Sequence, residues 1–403
     1  MSQVIIIGAG PAGACLSLIL SQRDIPVTLI ERRKNFDREF RGEILMPSGL
    51  EALSQLGIDK KLTQVSSYSP RHIQFFLNKK QILEISLKDA FGEKSPKAIS
   101  QVGLLETLVG ECQQYPCFKF YRGASVKNLI KKDNRVRGAN VFLDGGEKKK
   151  ICADLIIGAD GRNSIVRKQC DLNAYEYNTP MDIVWCKLLK PEDWHGASFY
   201  AGQGNLLLAY QTWDDNLQMA WVILKNQFKD LREQGIDAWV EVMADHVDPV
   251  FGHHLRQNKS FISNQFFLNS VSDCVEKWSV PGAMVIGDAA HTMSPVGGQG
   301  LNIAMRDAIV SANYLVPVFK KDTLNLKDLD EAIMQIEVDR MKEVKPIQYK
   351  QSIAPKIMLN QSLLGSLARR AIALLIKLPF VARVVGKNNN DFLYGKTKIE
   401  LTV

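Results

Sequence analysis

An apolar run near the N-terminal end breaks off into closely spaced glycines, and this constrains the chain more than any other feature. Val4–Ile7 is apolar throughout, Gly8-Ala9-Gly10-Pro11-Ala12-Gly13 follows, and the segment from Pro11 to Leu20 is again rich in small and apolar residues. This order predicts a buried parallel strand, a tight turn and a helix packed back on the strand. Gly8 permits the turn, Gly10 lets backbone N–H groups approach a pyrophosphate, and Gly13 lets helix and strand pack closely. The helix N-terminus then faces the anion. A second apolar strand, Pro26–Ile30, ends at Glu31, where a carboxylate can accept hydrogen bonds from ribose hydroxyls. Glycines at this spacing occur by chance. Together with the strand, the helix and the acid they predict a dinucleotide site made by Gly8, Gly10, Pro11, Ala12, Gly13, Glu31 and the adjoining Arg32. With Glu31 at the ribose, the expected adenosine lacks a 2′-phosphate despite Arg32 and Arg33.

Two later segments bear on which dinucleotide this is. One is Gly158-Ala159-Asp160-Gly161-Arg162-Asn163-Ser164-Ile165-Val166-Arg167. The other is Gly287-Asp288, followed by Pro295 and by Gly297-Gly298-Gln299-Gly300-Leu301-Asn302. With the first segment, in this order and spacing, they resemble the para-hydroxybenzoate hydroxylase family, the class A flavoprotein monooxygenases. The resemblance runs from the N-terminus to about Asp307 and implies non-covalent FAD. Asp288 would accept from the ribityl hydroxyls; a helix N-cap is its other reading. Gly298 and its neighbours would let backbone lie against the flat ring. Gly300, Leu301 and Asn302 would present N–H groups to it from a helix start, and Pro295 would lie near its reactive face. Arg41, Gln101 and Val126 are placed with the cofactor by the same resemblance, as is Asp160, whose motif has also been linked to NAD(P)H. Arg167 is expected to be structural, pairing with a carboxylate.

The implied activity is hydroxylation of an aromatic or polycyclic small molecule through a flavin hydroperoxide, with dioxygen as co-substrate and NAD(P)H as a transient reductant. No second complete glycine-rich fold exists for the nicotinamide. Such chemistry is carried by the cofactor, and the protein positions and shields it; the sequence identifies no catalytic base. A flavin-dependent halogenase shares the family fold but carries a Trp-x-Trp-x-Ile-Pro segment, whereas the nearest text here is Trp221-Val222-Ile223-Leu224. A flavin-dependent reductase of polyprenyl double bonds and a non-catalytic flavin-binding partner protein are the remaining alternatives.

Composition narrows the setting. A chain of 403 residues can bury an ample core, and no apolar run reaches the ~20 residues of a membrane span. The sequence leads from Met1 straight into the first strand, so no signal peptide is expected and the setting reads as cytoplasmic. Seven cysteines (Cys15, Cys112, Cys117, Cys152, Cys170, Cys186 and Cys274) lack metal spacing and read as reduced, mostly buried thiols. His253-His254 has no third ligand and reads as a turn, so no metal is expected. The net charge of +8 is diffuse and does not indicate nucleic acid. A monomer and a homodimer are both compatible with the chain.

The expected architecture is mixed α/β: a Rossmann-like FAD-binding domain interleaved with a β-sheet substrate domain, then C-terminal helices. The cofactor domain is drawn from 1–70, 100–170 and 281–320, the substrate domain from 71–99 and 171–280, and the helical region from 321–403. His72–Leu77 and Gln81–Leu87 read as strands of the second sheet. So do Ile183–Leu189, Leu206–Thr212 and Leu217–Leu224, which carry the candidate substrate-wall residues Trp185, Tyr210 and Trp221. Ser362–Leu378 reads as an amphipathic helix, with Leu363, Leu367, Ala371, Leu374 and Leu378 on one face and Arg369, Arg370 and Lys377 opposite. Two placements suit it: leucines packed on the body with the basic face in water, or peripheral contact with a membrane.

Overall fold

The computed structural model of the protein describes residues 3–37, 44–177, 179–202, 204–375 and 390–403. Val4–Ile7 and Val27–Glu31 are parallel neighbours, in register Val4↔Val27, and Leu155–Gly158 lies on the other side of Val4–Ile7. The sheet is completed by Phe118–Arg122 at one edge and by Ala283–Val285 with Ser279–Val280 at the other, giving six strands. Its central strands are buried along their whole length. Strands covered on both faces need continuous apolar sequence, which is why they read so plainly from the chain. Helix Pro11–Ser21 packs between Gln101–Cys112 and Gln299–Phe319. Helix Gln299–Phe319 in turn contacts the long helix Leu326–Met358.

A second sheet of seven strands runs in the order Ser263–Leu268, Met181–Leu189, Asn216–Leu224, Asn205–Gln211, Gly196–Gly202, His72–Leu77, Lys80–Ser86. All its pairings are antiparallel except Gly196–Gly202 with His72–Leu77. Asn78 and Lys79 turn the hairpin with positive φ. One face of this sheet is covered by helices Ile236–His246 and Pro249–Gln257, whose Trp239, Val240, Met243 and Phe251 pack on Leu207, Met219 and Trp221. The other face carries Met181, Ile183, Trp185, Ala197, Tyr210, Ala220 and Val222. It packs against Ala98, Leu359, Ile44 and Val296.

Two expectations are corrected here. His253-His254 lie within the helix Pro249–Gln257 rather than in a turn. Asp248 caps this helix by accepting the amides of Val250 and Phe251, and Pro249 takes the first helical position, where its missing N–H costs nothing. The C-terminal helix spans Leu363–Leu375 among the described residues, and its apolar face is turned outward. Leu363, Leu364, Leu367 and Leu374 are each more than half exposed, while Arg369 is buried. Arg369 Nη1 donates to the carbonyls of Asn360 (2.5 Å) and Ile357 (3.2 Å), capping the end of the long helix. Leu378 and Lys377 lie outside the described residues. All seven cysteines are free, and five of them are buried.

Candidate active site

The glycine-rich turn is built by contacts that a side chain would destroy. Gly8 has φ +102°, and a Cβ there would lie 2.4 Å from the Ala159 carbonyl oxygen. A Cβ on Gly13 would lie 2.0 Å from the Gly8 carbonyl oxygen, so helix and strand meet as closely as two backbones can. Gly10 precedes the helix, Pro11 opens it, and the nearest atom to a Cβ on Gly10 would be 3.9 Å away. The space above the helix start is therefore open to a ligand. Glu31 is buried at the end of its strand. Its Oε2 accepts the Ala9 amide and its Oε1 the Arg33 amide, both at 2.9 Å. The carboxylate is thus oriented by two backbone amides. Arg32 beside it is exposed.

Gln101 is the first residue of its helix, capped by Ser100 through the Gly103 amide (3.1 Å). Val126 is buried in a core cluster with Ile7 and Ile30, below the ends of the nucleotide strands. Arg41 lies outside the described residues.

The second motif is a capped turn. Asp160 Oδ2 accepts the Ile165 amide (2.6 Å) and Ser164 Oγ the Arg167 amide (3.0 Å). Asp160 Oδ1 is buried and has no partner among the described residues. Burial pushes this carboxyl above the usual carboxylate range, against the opposing hydrogen bonds from Ser164 and the Ile165 amide. Arg167 pairs with Asp273 at 2.8 Å, and Asp273 Oδ1 accepts the Thr292 amide, so this arginine ties the second motif to the third. Arg162 Nε stands 3.6 Å from Asp288 Oδ2.

The third motif departs from the simple strand–acid–helix reading. Asp288 sits in a single 3₁₀ turn, Gly287–Ala289, and a short strand His291–Thr292 follows. The helix begins only at Gln299, so Asp288 does not cap it. The Pro295–Gly298 turn has φ +75° at Gly297 and +62° at Gly298, a conformation that disfavours any Cβ. A helix starting at Gln299 leaves the amides of Gln299, Gly300 and Leu301 without helical acceptors. A Cβ on Gly300 would meet nothing within 4 Å.

The Asn302 side chain is committed to structure. Its Oδ1 accepts the Met46 amide (2.9 Å) and its Nδ2 donates to the Gly298 carbonyl (2.8 Å). The loop is held from behind by Gln351, whose Nε2 donates to the carbonyls of Ser294 (2.8 Å) and Val296 (2.6 Å).

Beneath the loop lies a buried ionic network that the sequence did not disclose. Asp307 Oδ2 accepts from the Gly287 amide (2.8 Å) and from His291 Nε2 (2.7 Å), while Oδ1 accepts from Arg340 Nε (2.6 Å). Arg340 and Arg306 both bind Glu343, which also accepts the Lys396 amide. Each of these side chains is at most 3% exposed. The only local clue is that Arg306 and Asp307 fall within an otherwise uncharged helix.

The two sheet faces separate the candidate substrate residues. Trp185 and Tyr210 lie on the face that packs with Val296 and Ile44, next to the Pro295–Gly298 turn. Trp221 lies on the opposite face, edge-on to His246 and among the residues covered by Trp239 and Met243. Strand pairing explains this: Trp185 sits opposite Ala220, and Trp221 opposite Val184. Cross-strand partners share a face, so Trp221 is core and cannot wall the same site.

A long dinucleotide carrying a flat ring suits these residues. They are the glycine cradle, the backbone-oriented Glu31, the Asp160 Oδ1 that lacks a partner among the described residues, and the helix start at Gly300. Residues 1–325 match the family described as FAD binding domain. The 6-methylpretetramide 4-monooxygenase of Streptomyces rimosus is 28% identical over 377 residues, covering 93% of this chain and 88% of that protein. Squalene epoxidase 1 of Arabidopsis thaliana is 23% identical over 79% of this chain, which spans 60% of that protein. Among solved structures, p-nitrophenol 4-monooxygenase PnpA from Pseudomonas putida DLL-E4 superposes with a TM-score of 0.81. It is 16% identical and is covered over 99% of this chain and 100% of its own. With cradle, loop and sequence match in agreement, the chain belongs to the FAD-binding domain family and is an FAD-dependent monooxygenase of the class A flavoprotein type.

Proposed function

We propose that the protein hydroxylates an aromatic or polycyclic small molecule, with NAD(P)H as the transient reductant. One observation carries this reading: the Trp185–Tyr210 face of the seven-stranded sheet packs toward Ile44 and Val296 at the flavin loop. A flat apolar substrate on that face would meet the ring across the Pro295–Gly298 turn. On this reading 1–70, 100–170 and 281–320 serve the cofactor, 71–99 and 171–280 the substrate, and 321–403 braces the loop.

Bound FAD would supply the activation and transfer of oxygen, and the protein's residues would position and shield it. Glu31 would orient the ribose and Asp288 the ribityl chain, while the free amides at Gly300 and Leu301 would favour negative charge on the reduced ring. Trp185 and Tyr210 would exclude water from the reacting face. The test is substrate-stimulated NADH or NADPH oxidation by the FAD-loaded protein across a panel of phenols, with isotopically labelled dioxygen. Label in the product is expected. Product formed without oxygen would replace this reading with a reductase.

Peripheral membrane contact is part of the same proposal. No helix of the described residues is long and apolar enough to cross a membrane. The outward leucines of Leu363–Leu375 nevertheless form an apolar strip beside exposed Arg370, the composition that lies well in an anionic lipid interface.

A further inference from the structure

We propose that Gln218 is a specificity residue that reads a paired acceptor and donor at the far edge of the substrate. This rests on the aromatic-substrate reading above and adds which substituents such a substrate carries. Gln218 is fully buried in the interior strand Asn216–Leu224, and neither its Oε1 nor its Nε2 has a hydrogen-bond partner among the described residues. Burying an unpaired amide is worse than burying a leucine of similar size, so the fold itself gains nothing from glutamine here.

Its position says what it is for. Alternation puts Gln218 on the face of Ala220 and Val222, which is the face of Trp185 and Tyr210. Its direct cross-strand neighbours are Lys187 on one side and Tyr210 on the other. Lys187 is already engaged, with Nζ 2.7 Å from Asp214 Oδ2 and 5.0 Å from the centre of the Trp213 ring. The row holding Gln218 lies two residues beyond the Trp185–Ala220 row, about 7 Å along the strand. A fused-ring substrate over Trp185 therefore presents its distal edge to an amide that offers one donor and one acceptor. The complementary groups are a carboxamide, a lactam or a hydroxy ketone on the ring, whereas a lone hydroxyl serves the amide only in part and a bare ring edge leaves it unpaired.

The test compares two probes on the FAD-loaded full chain: beta-naphthol, and beta-naphthol carrying an ortho carboxamide. Binding is read from the flavin absorbance, for the natural chain and for Gln218→Leu and Gln218→Met. The natural chain should prefer the carboxamide by about tenfold or more, the worth of one buried hydrogen bond. Both variants should bind the two probes alike while melting at or above the natural temperature. A preference that persists in the variants, or is missing from the natural chain, overturns the assignment of Gln218 while leaving the aromatic reading intact. If neither probe perturbs the flavin, both fall together.

Discussion

Replacing Asp307 by Asn tests whether the buried network supports the flavin loop. The carboxylate serves three donors, the Gly287 amide, His291 Nε2 and Arg340 Nε. Asparagine has one acceptor oxygen, and its amide N–H groups would face a donor. Burial alone would raise the Asp307 pKa, yet the charges of His291 and Arg340 outweigh it and hold the carboxyl at about 2 against an ordinary 3.8. That difference corresponds to about 2 kcal/mol of stability at neutral pH. Leaving a buried arginine short of its counter-charge costs about 3–5 kcal/mol, so the expected loss is about 3 kcal/mol. Urea unfolding of the FAD-saturated protein at pH 7, followed by tryptophan fluorescence, measures it. A depressed carboxyl gives stability that is complete above its unfolded value and disappears as pH falls from about 4 to about 2. Over that range Asp307→Asn should lose less stability than the natural chain. A cost below about 1 kcal/mol at pH 7, or an unchanged acid limb, would refute the reasoning.

Gly298→Val should lose flavin through backbone strain. At φ +62° the Cβ itself would make only ordinary contacts, 3.7 Å from Met46 Cε, so Gly298→Asn should retain more cofactor than the valine variant. Equal retention would place the cost elsewhere. Asp288→Ala should weaken FAD binding by about 1–3 kcal/mol in equilibrium dialysis, and unchanged affinity would remove it from the ribityl site. The flavin should be released on acid denaturation; colour remaining on the precipitated chain would show a covalent link. Truncation before Ser362 should abolish salt-sensitive sedimentation with anionic vesicles, and an intact chain that ignores such vesicles would dismiss the lipid contact.

The nucleotide cradle was legible because its constraints are local. A backbone approaching at Gly8 or Gly13 forbids any Cβ, and strands buried on both faces must be apolar throughout, so residue type alone betrays both. The sheet faces were only half legible. Alternation groups Met219 with Trp221 and Trp185 with Lys187, but the register that sets Trp185 opposite Ala220 comes from pairing between strands. Trp221 was therefore placed with the wrong partners. Arg340 and Glu343 read as surface charges of a polar helix, and only folding brings them to Asp307 and Arg306 more than thirty residues away. In the C-terminal helix, periodicity showed two faces and could not say which would turn inward. The carbonyls that end the preceding helix decided that by attracting Arg369.

The final segment of the chain returns to the site it closes. Gln299 donates to the Phe392 carbonyl, Glu343 accepts the Lys396 amide, and Asn313 Nδ2 reaches the Glu400 carbonyl. A ribosome releases the cradle before these braces, since domains form from the N-terminal end during synthesis. The nascent chain thus carries its phosphate-gripping turn, complete in sequence, well before the opposite wall of the flavin loop can be secured. On the proposed reading of the site, cofactor capture would follow the arrival of these braces, and a translation product clipped before Phe392 would hold the nucleotide end without a clamped ring.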